Sequence, residues 1–319
     1  MILTTYKNHY RFGYDDINNF QFRENEYQRY TVEFGRANYI HSFKQESINA
    51  AKQIHSDANG RPIFISYSGG VDSEYIVYTF LEAKIPFEII TARFKKNLNE
   101  YDFNYVKKSC DRNHLKLNII NIDIEKFLEV EMIDYANATQ CCSPQFPMHM
   151  YLWDAFDGFI VAGHNLTFRR NPSLEQFHFT IGEKNDSVFR YYIWRNRDGC
   201  PSFNIYTPEL VLSFMLENEI SKLFAFGKAF KVASSRKQKT ILYRNCYDIE
   251  EREKQTGFEH IMELDKKYRD KLENLYSNDS CQISLRKLIE QLSPKYYLEN
   301  KIIPRIINEQ NLYAHWNII

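Results

Sequence analysis

Between residues 60 and 163 the chain alternates between two hydrophobic patterns. Short continuous apolar runs at Ile63–Ser66, Phe87–Ala92, Leu117–Ile124 and Phe159–Gly163 predict buried strands. Between them apolar residues recur at helical spacing, as at Ile76, Val77, Phe80 and Leu81. Further helices are predicted from about Asn99 to His114, Ile124 to Ala138 and Pro147 to Phe156. Strands that alternate with helices form βαβ units, so the expected class is α/β, a doubly wound parallel sheet. Ligands in such sheets lie at the carboxyl ends of the strands, by the point where strand order reverses.

The flanks read differently. Residues 1–45 are mixed and aromatic, with short strands expected at Tyr6–Phe12 and Tyr30–Phe34. Ser42 is placed to cap a helix that runs to Ala58 and ends at Asn59-Gly60. Phe177–Thr180 and Phe189–Trp194 read as strands of a hairpin around Gly182–Asp186, followed by a strand at Phe203–Tyr206. Thr207-Pro208-Glu209 is a helix start, with a cap, a proline at the first position and an acid in the first turn. From about Phe258 to Lys295 the chain reads as charged helix. The expected organisation is a β-rich lead-in (1–45), the α/β domain (46–245, insertion 164–206) and a helical carboxyl-terminal appendage (246–319).

The stretch Ser68-Gly69-Gly70-Val71-Asp72-Ser73 lies between the first strand of this pattern and its helix. Backbone amides and the positive end of the helix dipole then converge on one spot, which suits an anion. Gly69 and Gly70 allow close approach to a phosphate, and Ser68 and Ser73 add hydroxyl donors. Asp72 cannot assist an anion directly; it orients the loop or holds Mg²⁺.

Composition narrows the partners. Lys plus Arg and Asp plus Glu both number 41, so the chain is neutral and lacks the footprint of a strong nucleic-acid binder, although a local basic patch stays open. The six cysteines form no CxxC pair and no zinc spacing. With no signal-like start and no membrane-length apolar run, the expectation is a cytoplasmic protein with reduced thiols and no membrane partner.

The hexapeptide resembles the S-G-G-x-D-S signature of the PP-loop ATP pyrophosphatases, a Rossmann-like superfamily with N-type synthetases and a phosphosulfate reductase branch. It is not a Walker loop, because no Lys-Ser/Thr pair follows the glycines. The resemblance implies ATP with Mg²⁺ as cofactors and cleavage to AMP and pyrophosphate. It extends ATP contacts to Ser66, Val71, Ala92, Phe94 and Gly163, with adenine between the first and second strands, although Phe94 also fits the core. Ala162-Gly163-His164-Asn165 is similar to the family's second feature, Gly-His-Asn, but Thr167 and Phe168 stand where an acid often follows. His164 is then a proton acceptor or substrate contact, Asn165 a substrate contact, and both also fit a plain strand-end turn.

Arg169 and Arg170 suit a nucleotide tail and an anionic substrate, or form a solvated pair. Cys141-Cys142 lines the substrate side, carries sulfur or is simply buried. Family members bring a carboxyl-terminal lysine to the β and γ phosphates, which here implies Lys237 or Lys239. Arg252, Lys254 and the turn Thr256–Glu259 fit the same lid with no role assigned. The Thr207-Pro208-Glu209 helix resembles a reductase segment, but paired carboxyl-terminal cysteines are missing, as are glutaminase and deazaguanine-synthase signatures.

The expectation is an adenylating enzyme that activates an acceptor oxygen, on a small molecule or nucleobase, for substitution by nitrogen or sulfur. A separate glutaminase or sulfur donor and a homo-oligomer are compatible partners. A sulfonucleotide enzyme and a non-catalytic nucleotide module are the rivals.

Overall fold

A computed structural model describes residues 9–14, 23–38, 40–163, 167–171, 176–220 and 235–293. Two short strands, β1 (Arg11–Tyr14) and β2 (Tyr30–Glu33), pair antiparallel at the amino end. Helix α1 (Phe43–Ala58) follows, with Ser42 accepting from the Gln45 amide and Asn59 closing it at φ 50°. The α/β core then runs β3 (Ile63–Ser66), α2 (Val71–Glu82), β4 (Glu88–Phe94), α3 (Glu100–Arg112) and β5 (Leu117–Ile122). It continues through α4 (Ile124–Val130), α5 (Met132–Thr139), α6 (Gln145–Asp154) and β6 (Phe159–Ala162).

These strands, with β9 (Gly199–Cys200), form a five-stranded parallel sheet in the order β5-β4-β3-β6-β9. All four residues of β3 are buried, as expected of a central strand covered on both faces. Chain order reverses at β3, which has β4 on one side and β6 on the other. The carboxyl ends of β3 and β6 therefore flank the switch point, and the glycine loop starts there.

The α/β class is as the sequence pattern indicates; several elements differ from expectation. Residues Gly182–Trp194 are not a turn and a strand. Gly182 ends β8 (Gln176–Gly182), which pairs with β7 (Thr167–Asn171), and Glu183–Trp194 belong to helix α7 (Glu183–Arg195). Glu183 and Asp186 sit in its first turn, Arg195 in its last, and Asn196 ends it at φ 47°. The aromatic run invites a strand reading, but Phe189, Tyr191 and Tyr192 are buried within a helix and Trp194 is 40% exposed. Phe203–Ile205 is a 3₁₀ turn rather than a strand, ahead of α8 (Pro208–Leu216), whose Thr207 cap is as expected.

The third difference is in the tail. It carries α9 (Ser235–Cys246) and α10 (Met262–Leu275), then a strand, β10 (Ser280–Ser284), and α11 (Leu285–Leu292). β10 pairs antiparallel with β8, giving a second sheet in the order β10-β8-β7. The expected helix after β5 is also two helices, α4 and α5. No helix among the described residues is long and apolar enough to cross a membrane.

Buried polar contacts tie the amino-terminal strands to α7. Asp186 Oδ2 accepts from the Tyr10 hydroxyl at 2.7 Å and also from Tyr30. Tyr14 donates to Glu183, whose other oxygen takes Arg190 Nη2 at 2.9 Å. Burial pushes the Asp186 carboxyl up to about 7, against the opposing pull of the two tyrosine hydroxyls and Arg190.

An unfolded aspartate releases its proton near pH 4. The folded chain then holds more protons in the window from about 4 to 7, so this group's contribution to stability falls as pH rises through it. Asp186→Asn stays neutral and lacks that fall. Urea midpoints of the two proteins should shift in the variant's favour between pH 5 and pH 7.5; a constant difference would contradict the buried titration.

Candidate active site

The loop leaves β3 at Ser66 and is bound to β4 through Tyr67, whose amide donates to the Ile90 carbonyl at 3.0 Å. Gly69 takes φ +79°, and a β-carbon there would lie 2.5 Å from the Asp102 carbonyl oxygen. A side chain is thus excluded twice, by backbone conformation and by space. Gly70 starts α2 in extended conformation with no side-chain cap, so the first-turn amides keep no side-chain acceptor. Ser73 Oγ donates to the Gly70 carbonyl at 2.9 Å and accepts from the Ser68 amide at 3.3 Å. The two serines brace the loop, and Val71 is buried as the first helical residue.

Cations from far along the chain surround this loop. Arg252 donates to the Gly69 carbonyl from Nε at 3.0 Å and from Nη2 at 2.7 Å. Its Nη1 pairs with Glu74 at 2.6 Å, and its guanidinium lies 4.5 Å over the Tyr105 ring. Both charged side chains are deeply buried, 3% and 5% exposed. Burial raises the Glu74 carboxyl, and Arg252 opposes that shift. Losing one member of such a pair strands the other and costs about 3–5 kcal/mol, against about 0–1 for an exposed pair.

Asp72 has its own partners. Lys239 Nζ lies 2.7 Å from Oδ1 and 2.9 Å from Oδ2, and the Tyr243 hydroxyl donates to Oδ1 at 2.9 Å. Lys239 is 2% exposed, and Tyr243 stacks on Tyr75 at 4.3 Å. Mg²⁺ requires an octahedron of oxygens at short range. Both Asp72 oxygens already face an ammonium or a hydroxyl, so the residues present do not fit a metal on this carboxylate. Among the described residues no three of His, Cys, Asp and Glu group as a metal cage.

A narrow cavity of about 70 Å³ opens beside the loop at the carboxyl ends of β3 and β4. Ser66, Ser68, Ala92 and Phe94 line it, together with Asp102, His149 and Lys254. Phe94 is also packed edge-on against Phe258 with centroids 5.9 Å apart, and Ser66 Oγ accepts from the Trp153 indole at 3.0 Å. The Ala92 carbonyl accepts from Asn99 Nδ2 at 2.9 Å. Asp102 is 3% exposed; Oδ1 accepts from the Gln255 amide at 3.0 Å, and Oδ2 has no partner among the described residues. Burial raises the Asp102 carboxyl, while the Gln255 hydrogen bond and the charges of Lys254 and Arg252 pull the other way. Burial, and then the charge of Lys254, lowers His149 to about 4, so it is neutral at physiological pH. A β-carbon on Gly70 would sit 3.6 Å from Lys254 Nζ, which puts that ammonium at the mouth of the loop.

The other expected residues divide clearly. Lys239 meets the loop through Asp72, whereas Lys237 is exposed. Gly163 packs over α2, where a β-carbon would lie 3.5 Å from the Ser73 amide nitrogen. His164 and Asn165 lie outside the described residues. Arg169 and Arg170 are on β7, with backbone partners His178 and Phe177 on β8. Cys141 and Cys142 are buried free thiols and do not line the cavity. Burial raises both thiols, Cys142 to about 12, and Cys141 donates to the Ser143 carbonyl at 3.3 Å. That is the buried alternative, not an activated thiolate. Asp102 and His149 carry no motif and were not candidates in the sequence. A wider depression of about 790 Å³ lies at the opposite, amino end of the strands. Its Arg61, Arg195 and Arg197 are already paired to carboxylates or carbonyls.

Gly69→Ala should test the loop geometry. A φ of +79° together with contact against a backbone oxygen predicts a loss of about 1–3 kcal/mol, read as a lower melting temperature. A variant as stable as the wild type would mean that the loop is not held in this form.

No protein-family model matches the chain, and no curated protein does. Among solved structures it is similar to the NMN synthetase from Francisella tularensis, at TM-score 0.34 and 14% identity over 84% of this chain and 92% of that one. It is also similar to the NH3-dependent NAD synthetase from Campylobacter jejuni subsp. jejuni NCTC 11168, at TM-score 0.33 and 13% identity over 73% of this chain and 93% of the other.

Proposed function

We propose that this chain is an ATP pyrophosphatase that adenylates an acceptor oxygen and releases pyrophosphate. The observation that carries the reading is the Ser68–Ser73 loop at the switch point of the sheet, uncapped at α2, with Lys239, Arg252 and Lys254 brought to it from the carboxyl-terminal segment. Amides of the loop and of the first turn would take the phosphate chain. Lys254 at the loop mouth would meet charge that builds on the departing pyrophosphate. The cavity lined by Ser66, Ala92 and Phe94 would take the base, with the unpartnered Asp102 oxygen as an acceptor for an exocyclic amine.

An acceptor carboxylate, amide or ring carbonyl oxygen would attack the α-phosphorus as the bond to the bridging oxygen breaks. The resulting adenylate is open to a nitrogen nucleophile, or to a sulfur nucleophile brought from outside the chain. The buried Cys141 and Cys142 offer no thiolate for that step. The protein's part is alignment and charge stabilisation.

Purified chain given ATP, Mg²⁺ and a panel of carboxylate and amide acceptors should form AMP and pyrophosphate. Lys254→Ala should raise the KM for ATP about tenfold or more at unchanged melting temperature, because the side chain is exposed and outside the core. Arg252→Met should lose both binding and stability, since Glu74 is left buried without its partner. Absence of ATP binding together with absence of AMP for every acceptor would sink the reading.

A second reading, a nucleotide-binding module without turnover, draws on the pairing of Asp72 with Lys239. Retention of ATP with no cleavage of the α–β bond would favour it.

A further inference from the structure

Each acid around the loop is matched by a cation of the carboxyl-terminal segment. Glu74 pairs with Arg252, and Asp102 lies in the field of Lys254. At Asp72 the match involves both carboxylate oxygens. The Lys239 ammonium spans both oxygens, and the Tyr243 hydroxyl fills a further position on Oδ1. Neither partner is a loose surface group. Lys239 is 2% exposed on α9, and Tyr243 is buried against Tyr75 while also accepting from Asn204 Nδ2 at 3.3 Å. A divalent ion at Asp72 would have to displace an ammonium that holds both oxygens and whose own side chain is only 2% exposed.

We infer that Lys239 stands on Asp72 in the place of a divalent ion, so that the loop holds a polyphosphate chain without a metal bound to the protein. This rests on the ATP reading above and specifies its ligand. The loop takes the polyphosphate whether or not a metal accompanies it, and Mg²⁺ enters as the counter-ion of the nucleotide. A fixed ammonium differs from a metal in a measurable way, because a chelator cannot remove it. It also cancels the Asp72 charge that would otherwise repel an anion at the start of α2.

The test is isothermal titration of the full chain with inorganic pyrophosphate, in excess EDTA and in millimolar Mg²⁺. The expected dissociation constant in EDTA is as tight as that in Mg²⁺, within about threefold. Lys239→Met should weaken binding in EDTA about tenfold or more, and Lys239→Arg should restore most of it. Binding that requires Mg²⁺ in the wild type overturns the inference and leaves the ATP reading standing. Unchanged affinity of Lys239→Met in EDTA also overturns it. If neither pyrophosphate nor ATP binds in either solution, the ATP reading falls and the inference falls with it. The wild-type comparison decides even if the variants do not fold.

Discussion

A loop that turns its amides toward a ligand must turn its carbonyls and acids somewhere else. In this chain that requirement falls on Gly69, whose carbonyl points into the protein and takes two donors of Arg252. A buried carbonyl without a partner costs about 1–3 kcal/mol, so the guanidinium decides whether the loop can keep this form. The same guanidinium cancels Glu74, one turn into α2. Asp72 on the same turn is cancelled by Lys239. The candidate anion site is therefore built from two sides, with backbone amides on the loop and balancing charges from residues 239–254.

That arrangement explains why the cavity lies where it does. Asp102 on α3 supplies both the carbonyl that bars a side chain from Gly69 and the carboxylate that takes the Gln255 amide. One residue thus spaces the loop from α3 and anchors the returning segment. Phe258 then packs on Phe94 at the end of β4, which closes the cavity with an apolar edge. The neutral His149 and the half-satisfied Asp102 join Ser66, Ser68 and Lys254 as polar groups in a slot whose other walls include Ala92, Phe94 and Phe258, a mixture common in small-molecule sites.

Much of this was legible in the sequence because it is written in local pattern. Four of the five parallel strands are apolar runs bounded by turn residues, and the glycine loop sits where strand period gives way to helix period. Helix α7 was not legible, because Phe189–Trp194 has strand propensity and only tertiary packing makes it helical. Strand β10 has a single buried apolar residue, Ile283, and exists because β8 offers it an edge. The choice between Lys237 and Lys239 was beyond sequence as well. Two residues on a helix lie about 200° apart, so one points in and the other out, and the lysine run does not say which.

The pairs that hold the loop join residues 167 to 183 positions apart. Contacts so distant cannot form until most of the chain has folded, and closing them is entropically demanding. What makes them worthwhile is burial. At the surface the same ion pairs would contribute about 1 kcal/mol or less, but here Arg252, Glu74 and Lys239 are each 5% exposed or less, so removing the partner of any of them leaves a charge with little solvent to receive it. The penalty runs in both directions, so the loop cannot relax without exposing Arg252 and Lys239, and the carboxyl-terminal segment cannot leave without stranding Asp72 and Glu74. The loop and residues 239–254 form one cooperative unit, and a substitution in that distant segment should be felt first at the Ser68–Ser73 loop.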